Sequence, residues 1–209
     1  MAPLCGGRAH EGQVRAINII IDEHRTLAAV LHGMLYFLRH VRYGSSKPDF
    51  ELLGAMVYYI QTFPERFHHP KEDAYLFRLL RLRHAAATPL LDRLQAEHRA
   101  GADKLRAVEQ TLARYRHGGA AELAAFSGAV AAYAAFHYGH ARSEENEVLP
   151  MAATILHAAD WEEIDAAFAG HTDPLLGAEA GAEYDELFRR IVMLAPAPLG
   201  AGPEVSSNT

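Results

Sequence analysis

The chain has 209 residues, a single cysteine and a formal net charge of -6, with 20 Lys and Arg against 26 Asp and Glu. That length suits one sizeable core with no second domain, and cations scattered along an acidic chain leave no electrostatic footprint for nucleic acid. The lone Cys5 excludes an intramolecular disulfide and fits a reducing compartment. No signal-peptide core opens the chain, and the apolar run 17–38 is broken by Asp22, Glu23, His24 and Arg25, so the sequence reads as cytoplasmic with no membrane span.

Helical periodicity runs from about residue 12 to about residue 194, flanked by a flexible N-terminus (1–11) and a Pro/Gly-rich tail (195–209). The first helix carries Ile17, Ile21, His24, Ala28, Leu31, Leu35 and Leu38 on one stripe and ends before Gly44-Ser45-Ser46 and Pro48. The second stripe, Leu53, Met56, Ile60, Phe63 and Phe67, runs into Pro64 and Pro70, which predicts a kink or short break. Thr88-Pro89 opens a third helix with Leu91, Leu94, His98, Gly101, Leu105, Val108, Leu112 and Tyr115 alternating at three and four residues. After Gly118-Gly119 the fourth stripe is Leu123, Phe126, Val130, Tyr133, His137, His140 and Glu144. Pro150 is expected to end or kink it. Asp160-Trp161-Glu162-Glu163 has the form of a capping box opening a shorter fifth helix, and Tyr184, Leu187, Phe188 and Ile191 mark a last amphipathic stretch. No strand-like alternation is present, so the fold class is all-α.

The stripes carry unusual chemistry. His68 stands four residues ahead of Glu72, and His140 four ahead of Glu144, which stacks each imidazole over a carboxylate on one helix face. Such pairs can bind one metal ion, or two if the carboxylates bridge. His24, His98 and His137 lie on core stripes of other turns, and a glutamate on a core seam needs a cation, a metal or a proton to offset its lost hydration. His69 with Asp73 competes with His68 and Glu72. At 3.6 residues per turn, however, His69 lies about 200° from Phe67, which predicts an outward or supporting position unless the kink turns it inward. Glu65 reads as a neighbour of the kink, Tyr133 as a core aromatic. His10, His32, His40, His84, His117, His157 and His171 have no carboxylate at metal spacing that survives the seam test and are assigned to the surface or boundary.

The order His24, His68-x-x-x-Glu72, Glu97-His98 and His140-x-x-x-Glu144, followed by Glu145 and Val148-Leu149-Pro150, resembles the bacterial hemerythrin-like family, or HHE cation-binding domain, over roughly residues 14 to 150. The resemblance implies an up-down-up-down four-helix bundle around a non-haem di-iron centre, with histidines as terminal ligands and the two glutamates bridging. The oxygen-carrying hemerythrins place two histidines four apart on the third helix, whereas His98 has Leu94 and Ala102 at that spacing. A fifth imidazole must then come from His137, the favoured candidate, or from His69.

Four histidines and two bridging carboxylates supply about eight of the roughly twelve positions that two octahedral irons want. An oxo or hydroxo bridge would fill two more, leaving one or two open for O₂, NO or peroxide. Zinc or manganese suits the same donors. The favoured expectation is a protein that binds or senses a small diatomic ligand. The alternatives are a peroxidase-like or oxidase enzyme, an iron donor for cluster repair, or a structural bundle. A ferritin-like oxidase is disfavoured, because E-x-x-H occurs once, at Glu65 and His68. The helices after Pro150 would cap the bundle or build a homodimer.

Overall fold

The computed structural model describes residues 7–170 together with Asp173 and Leu175. The amphipathic stretch around Tyr184 and the tail lie outside the described residues. Four long helical rods alternate in direction. The first is α1 (Gly7–Arg42), which starts some five residues before the apolar periodicity does. The second is a composite of α2 (Phe50–Thr62), α3 (His69–Lys71) and α4 (Arg78–Arg83), joined by π-helical turns at Pro64–His68 and Glu72–Phe77. The third is α5 (Thr88–Gly118). The fourth joins α6 (Leu123–Ser143) to α7 (Leu149–Ile155) through another π-helical turn, Glu144–Val148. Links of a few residues force antiparallel neighbours. A shorter helix, α8 (Ala158–Ala169), packs along α1, and there is no strand among the described residues.

The boundaries follow local chemistry. Asp49 caps α2, its side chain accepting from the Leu52 amide at 2.9 Å. Gly119 turns the chain between α5 and α6 with φ 67°, a left-handed backbone that glycine enters without a Cβ clash. The capping box of α8 sits three residues earlier than the sequence suggested. Asp160 is its third residue and accepts from the His157 amide at 2.9 Å. The same carboxylate takes both Arg83 nitrogens, at 2.9 and 2.8 Å, and so ties α8 to α4.

The prolines neither end nor break their rods. Pro64 has no amide to donate, and the chain responds by widening: the His68 amide reaches back five residues to the Phe63 carbonyl at 3.3 Å. Pro150 falls in the first turn of α7, just past the widened Glu144–Val148 turn. These π turns occur where the site residues lie.

Two apolar clusters fill the bundle. One gathers Leu27, Leu31, Met34, Met56, Ile60, Leu105, Val108, Phe126 and Val130. The other gathers Ala16, Ile20, Leu76, Phe77, Leu91, Leu94, Val148 and Ala152, closed by Trp161, Ile164 and Phe168 of α8. Every rod passes from one cluster to the other through a polar layer, at His24, at His68–Glu72, at His98 and at His137–Glu144.

One helical stretch among the described residues, 85–155, contains an 18-residue window apolar enough to cross a membrane by length and composition. In the fold this stretch is the α5–α6 hairpin and its continuation. It turns back at Gly119 and supplies His98, His140 and Glu144 to the polar layer.

Candidate metal centre

The polar layer contains two groups of donors that share Glu72 and Glu144, the ligand atoms of each group lying within 4.8 Å of one another. His24, His68, Glu72 and Glu144 form one; Glu72, His98, His140 and Glu144 form the other. Each glutamate divides its oxygens between them. Glu72 Oε1 is 3.3 Å from His68 Nε2 and 3.8 Å from His24 Nε2, while Oε2 is 3.5 Å from His98 Nε2. Glu144 Oε2 is 3.2 Å from His24 Nε2, while Oε1 is 3.2 Å from His140 Nε2 and 3.6 Å from His98 Nε2. Both carboxylates are 0% exposed, and none of their four oxygens has a hydrogen-bond partner.

Orientation of the imidazoles explains those orphaned atoms. Each ring gives its Nδ1–H to a carboxylate outside the two groups: His24 to Glu145 at 3.0 Å, His68 to Glu23 at 2.6 Å, His98 to Asp73 at 3.0 Å and His140 to Glu97 at 2.9 Å. The Nε2 lone pairs then face inward. His98 Nε2 and His140 Nε2 stand 2.9 Å apart, and two bare lone pairs at that distance repel unless a proton or cation lies beside them. Cations held among these donors would satisfy all of these atoms, and the outer carboxylates would supply the support that metal-bound imidazoles need. The donor set fits the metal.

The supporting carboxylates form a circuit. The first rod's Glu23 holds the second's His68, the second's Asp73 holds the third's His98, the third's Glu97 holds the fourth's His140, and the fourth's Glu145 holds the first's His24. Each carboxylate is the chain neighbour of an inward residue, and one residue is 100° of helix rotation. The offsets alternate between one before and one after. Because the rods alternate in direction, every carboxylate therefore turns the same way around the bundle axis and meets the next rod. Sequence reading singled out none of these four as supports, although the motif Glu-His or Glu-acidic was present at each.

Protons offset this cluster when no metal does. Burial by itself would push the imidazoles down, but the facing Glu144 carboxylate and the hydrogen bond that His24 gives Glu145 hold His24 up to about 9. The Glu72 charge and Glu23 hold His68 up to about 10 against the same burial. Asp73, Glu144 and Glu72 hold His98 up to about 12. His140 is likewise raised by Glu144 despite its burial. Burial and mutual repulsion would lift Glu72 and Glu144, yet the facing imidazoles hold both below the usual carboxylate range.

His137, the favoured fifth imidazole from sequence, joins neither group. Its ring lies 6.2 Å from that of His24, Nε2 is buried without a partner, and burial with the neighbouring imidazoles pushes it well down. His69 is placed differently from the outward position its helical angle suggested. It is buried, stacks on His98 with centroids 4.4 Å apart, and forms a donor group with His98 and His140. The reason is the π turn over Pro64–His68. A wider turn rotates the chain less per residue, so both His68 and His69 face inward. Glu65 also turns in, its Oε2 3.6 Å from His69 Nδ1. None of His32, His40, His84, His117 and His157 is buried; His10 and His171 lie outside the residues whose side chains are described.

A family model for the hemerythrin HHE cation-binding domain matches residues 15–152, more than half of the chain and all of the donors above. The chain belongs to the hemerythrin HHE family. No curated protein and no solved structure matches. Family membership and the donor geometry agree on cation binding in the middle of the bundle. In the HHE domain of this chain two further histidines are buried beside the four inward ones, His69 on the second rod and His137 on the fourth.

Proposed function

We propose that this protein holds two iron ions in the polar layer and binds a small diatomic ligand, O₂ or NO, there. The observation that carries the reading is the split of Glu72 and Glu144, each giving one oxygen to a histidine pair on either side. His24 and His68 would hold one ion, His98 and His140 the other, and His69 would complete the second as a fifth imidazole. A pair of irons there would supply reversible redox chemistry and an open coordination position.

The asymmetry of two histidines against three leaves that open position on the His24 and His68 side. A cavity of about 370 Å³ reaches that side from the surface, lined by His24, Ala28, His137, Tyr138, Ala141 and Asn146 among others. The unpartnered His137 nitrogen can hydrogen-bond a small incoming ligand, in a lining that mixes Ala28 and Ala141 with Arg25, Arg142, Glu145 and Asn146. A cytoplasmic location belongs to the same reading.

The test is an anaerobic titration of iron-loaded, reduced protein with NO and with O₂. A spectral change saturating at a fixed stoichiometry per two irons is expected. Protein that holds two irons and responds to neither gas would refute ligand binding, and protein purified with zinc or manganese and indifferent to iron would refute the metal assignment.

A further inference from the structure

Outside the donors, the site has a second inward-reaching chain. The Tyr133 phenol is 2% exposed and donates to Glu65 Oε1 at 3.0 Å. The other oxygen of Glu65 faces His69 Nδ1 at 3.6 Å, and His69 stacks on His98 at 4.4 Å. The space for that carboxylate is built in. A Cβ on Gly101 of α5 would stand 3.3 Å from Glu65 Oε1 and 3.4 Å from the Phe136 ring, so a larger residue there would press the carboxylate aside by a few tenths of an ångström. Neither a kink neighbour nor a core aromatic requires this continuous contact from phenol to carboxylate to imidazole to the cation group.

We propose that Tyr133 is a one-electron donor to the metal centre, connected through Glu65 and His69, and that hydrogen peroxide reacting at a centre with one ferrous and one ferric ion leaves a radical on the Tyr133 phenol. This rests on the di-iron reading. The balance is as follows: H₂O₂ takes two electrons and two protons to become two waters. One electron comes from the single ferrous ion, its ferric neighbour having none to give, and one from Tyr133, whose O–H bond breaks; the phenol's proton passes to Glu65 Oε1 along the hydrogen bond, and solvent supplies those taken up by peroxide. Moving the proton with the electron matters, because an electron leaving alone would strand a cationic phenol in a dry interior. Glu65 is the acceptor that makes a neutral radical possible.

Tyr59 provides an internal comparison. It is equally buried and donates to Asp173 Oδ2 at 2.8 Å. Among the described residues, though, Asp173 makes no hydrogen bond or ion pair to an imidazole; its other oxygen accepts from the Leu175 amide. Tyr59 therefore has an acceptor for its proton but no contact path for its electron.

The experiment brings anaerobic protein of measured iron content to one ferrous and one ferric ion per site with a one-electron oxidant, adds one equivalent of H₂O₂, freezes it at short times and records electron paramagnetic resonance. An organic radical signal is expected that narrows when the protein is grown with ring-deuterated tyrosine, is lost in Tyr133→Phe and persists in Tyr59→Phe. Iron content and NO response of Tyr133→Phe should match the parent, since the variant removes one hydroxyl and no donor. Iron-loaded parent protein with no radical, or a signal that survives in Tyr133→Phe or disappears in Tyr59→Phe, overturns this inference alone. Protein that takes up no iron overturns the di-iron reading and this inference with it.

Discussion

Glu23 is the support whose replacement separates binding from stability. Its Oε2 accepts from His68 Nδ1 at 2.6 Å, and its Oε1 lies 3.7 Å from Lys71 Nζ, a buried ammonium set 4.6 Å over the Phe168 ring. Glu23→Gln keeps the shape and an acceptor for His68 but removes the charge. Loss of an outer carboxylate behind a metal-bound imidazole costs about 10–100-fold in metal affinity, or about 1.4–2.8 kcal/mol. The same change takes from Lys71 its nearest counter-charge, with Glu72 and Asp173 still acting on it, and destabilises by about 3 kcal/mol at most, the lower end for a broken buried pair. That end applies because the pair is not in hydrogen-bond contact and burial already lowers Lys71, so it can shed its proton. Adding Lys71→Met places a thioether over Phe168 and Phe63 and removes the stranded charge. Chelator competition and urea denaturation of metal-free protein, done on both single variants and the double, give the two quantities separately. Stability should return in the double variant while affinity stays low. An unchanged affinity in Glu23→Gln would refute the supporting role, and a double variant no more stable than Glu23→Gln would refute the account of Lys71.

Other outcomes follow from the same geometry. His98→Ala and Glu144→Ala should each lower metal content measured on purified protein, and full occupancy in both would remove the bridged-pair assignment. In metal-free protein the raised imidazoles stabilise fully below their unfolded value of 6.5 and lose that contribution as pH rises through about 9 to 12, while the depressed Glu72 and Glu144 lose theirs as pH falls below 4.5. The thermal midpoint of stripped protein should therefore fall on the alkaline side, and metal should displace protons and bind more tightly as pH rises, which calorimetry in buffers of different ionisation enthalpy measures. Gly101→Ala should leave stability near neutral, because the helix-propensity gain of about 1 kcal/mol offsets the crowding. It should nevertheless shift the Glu65 carboxylate and reduce the yield of the Tyr133 radical. Phe168→Ala should cost about 3–5 kcal/mol in denaturation, since that ring, with Trp161 and Ile164, closes the second apolar cluster and covers Lys71.

The apolar stripes determined from the sequence alone that the chain would be all-helical and that His24, His98, His140 and Glu144 would face inward, because a straight α-helix repeats its faces by fixed rotation. His-x-x-x-Glu spacing likewise put an imidazole and a carboxylate together without reference to any other rod. Tertiary structure alone decided three things. The π turn forced by Pro64 changed the rotation per residue and brought His69 and Glu65 inside, which no regular helical wheel can express. His137 stayed outside the donor groups because its stripe position sets its direction and not its depth along the bundle axis. The circuit of Glu23, Asp73, Glu97 and Glu145 emerged only when four rods of alternating direction stood side by side, since each of those carboxylates is held by the histidine of a different rod and its role is defined by the packing between them.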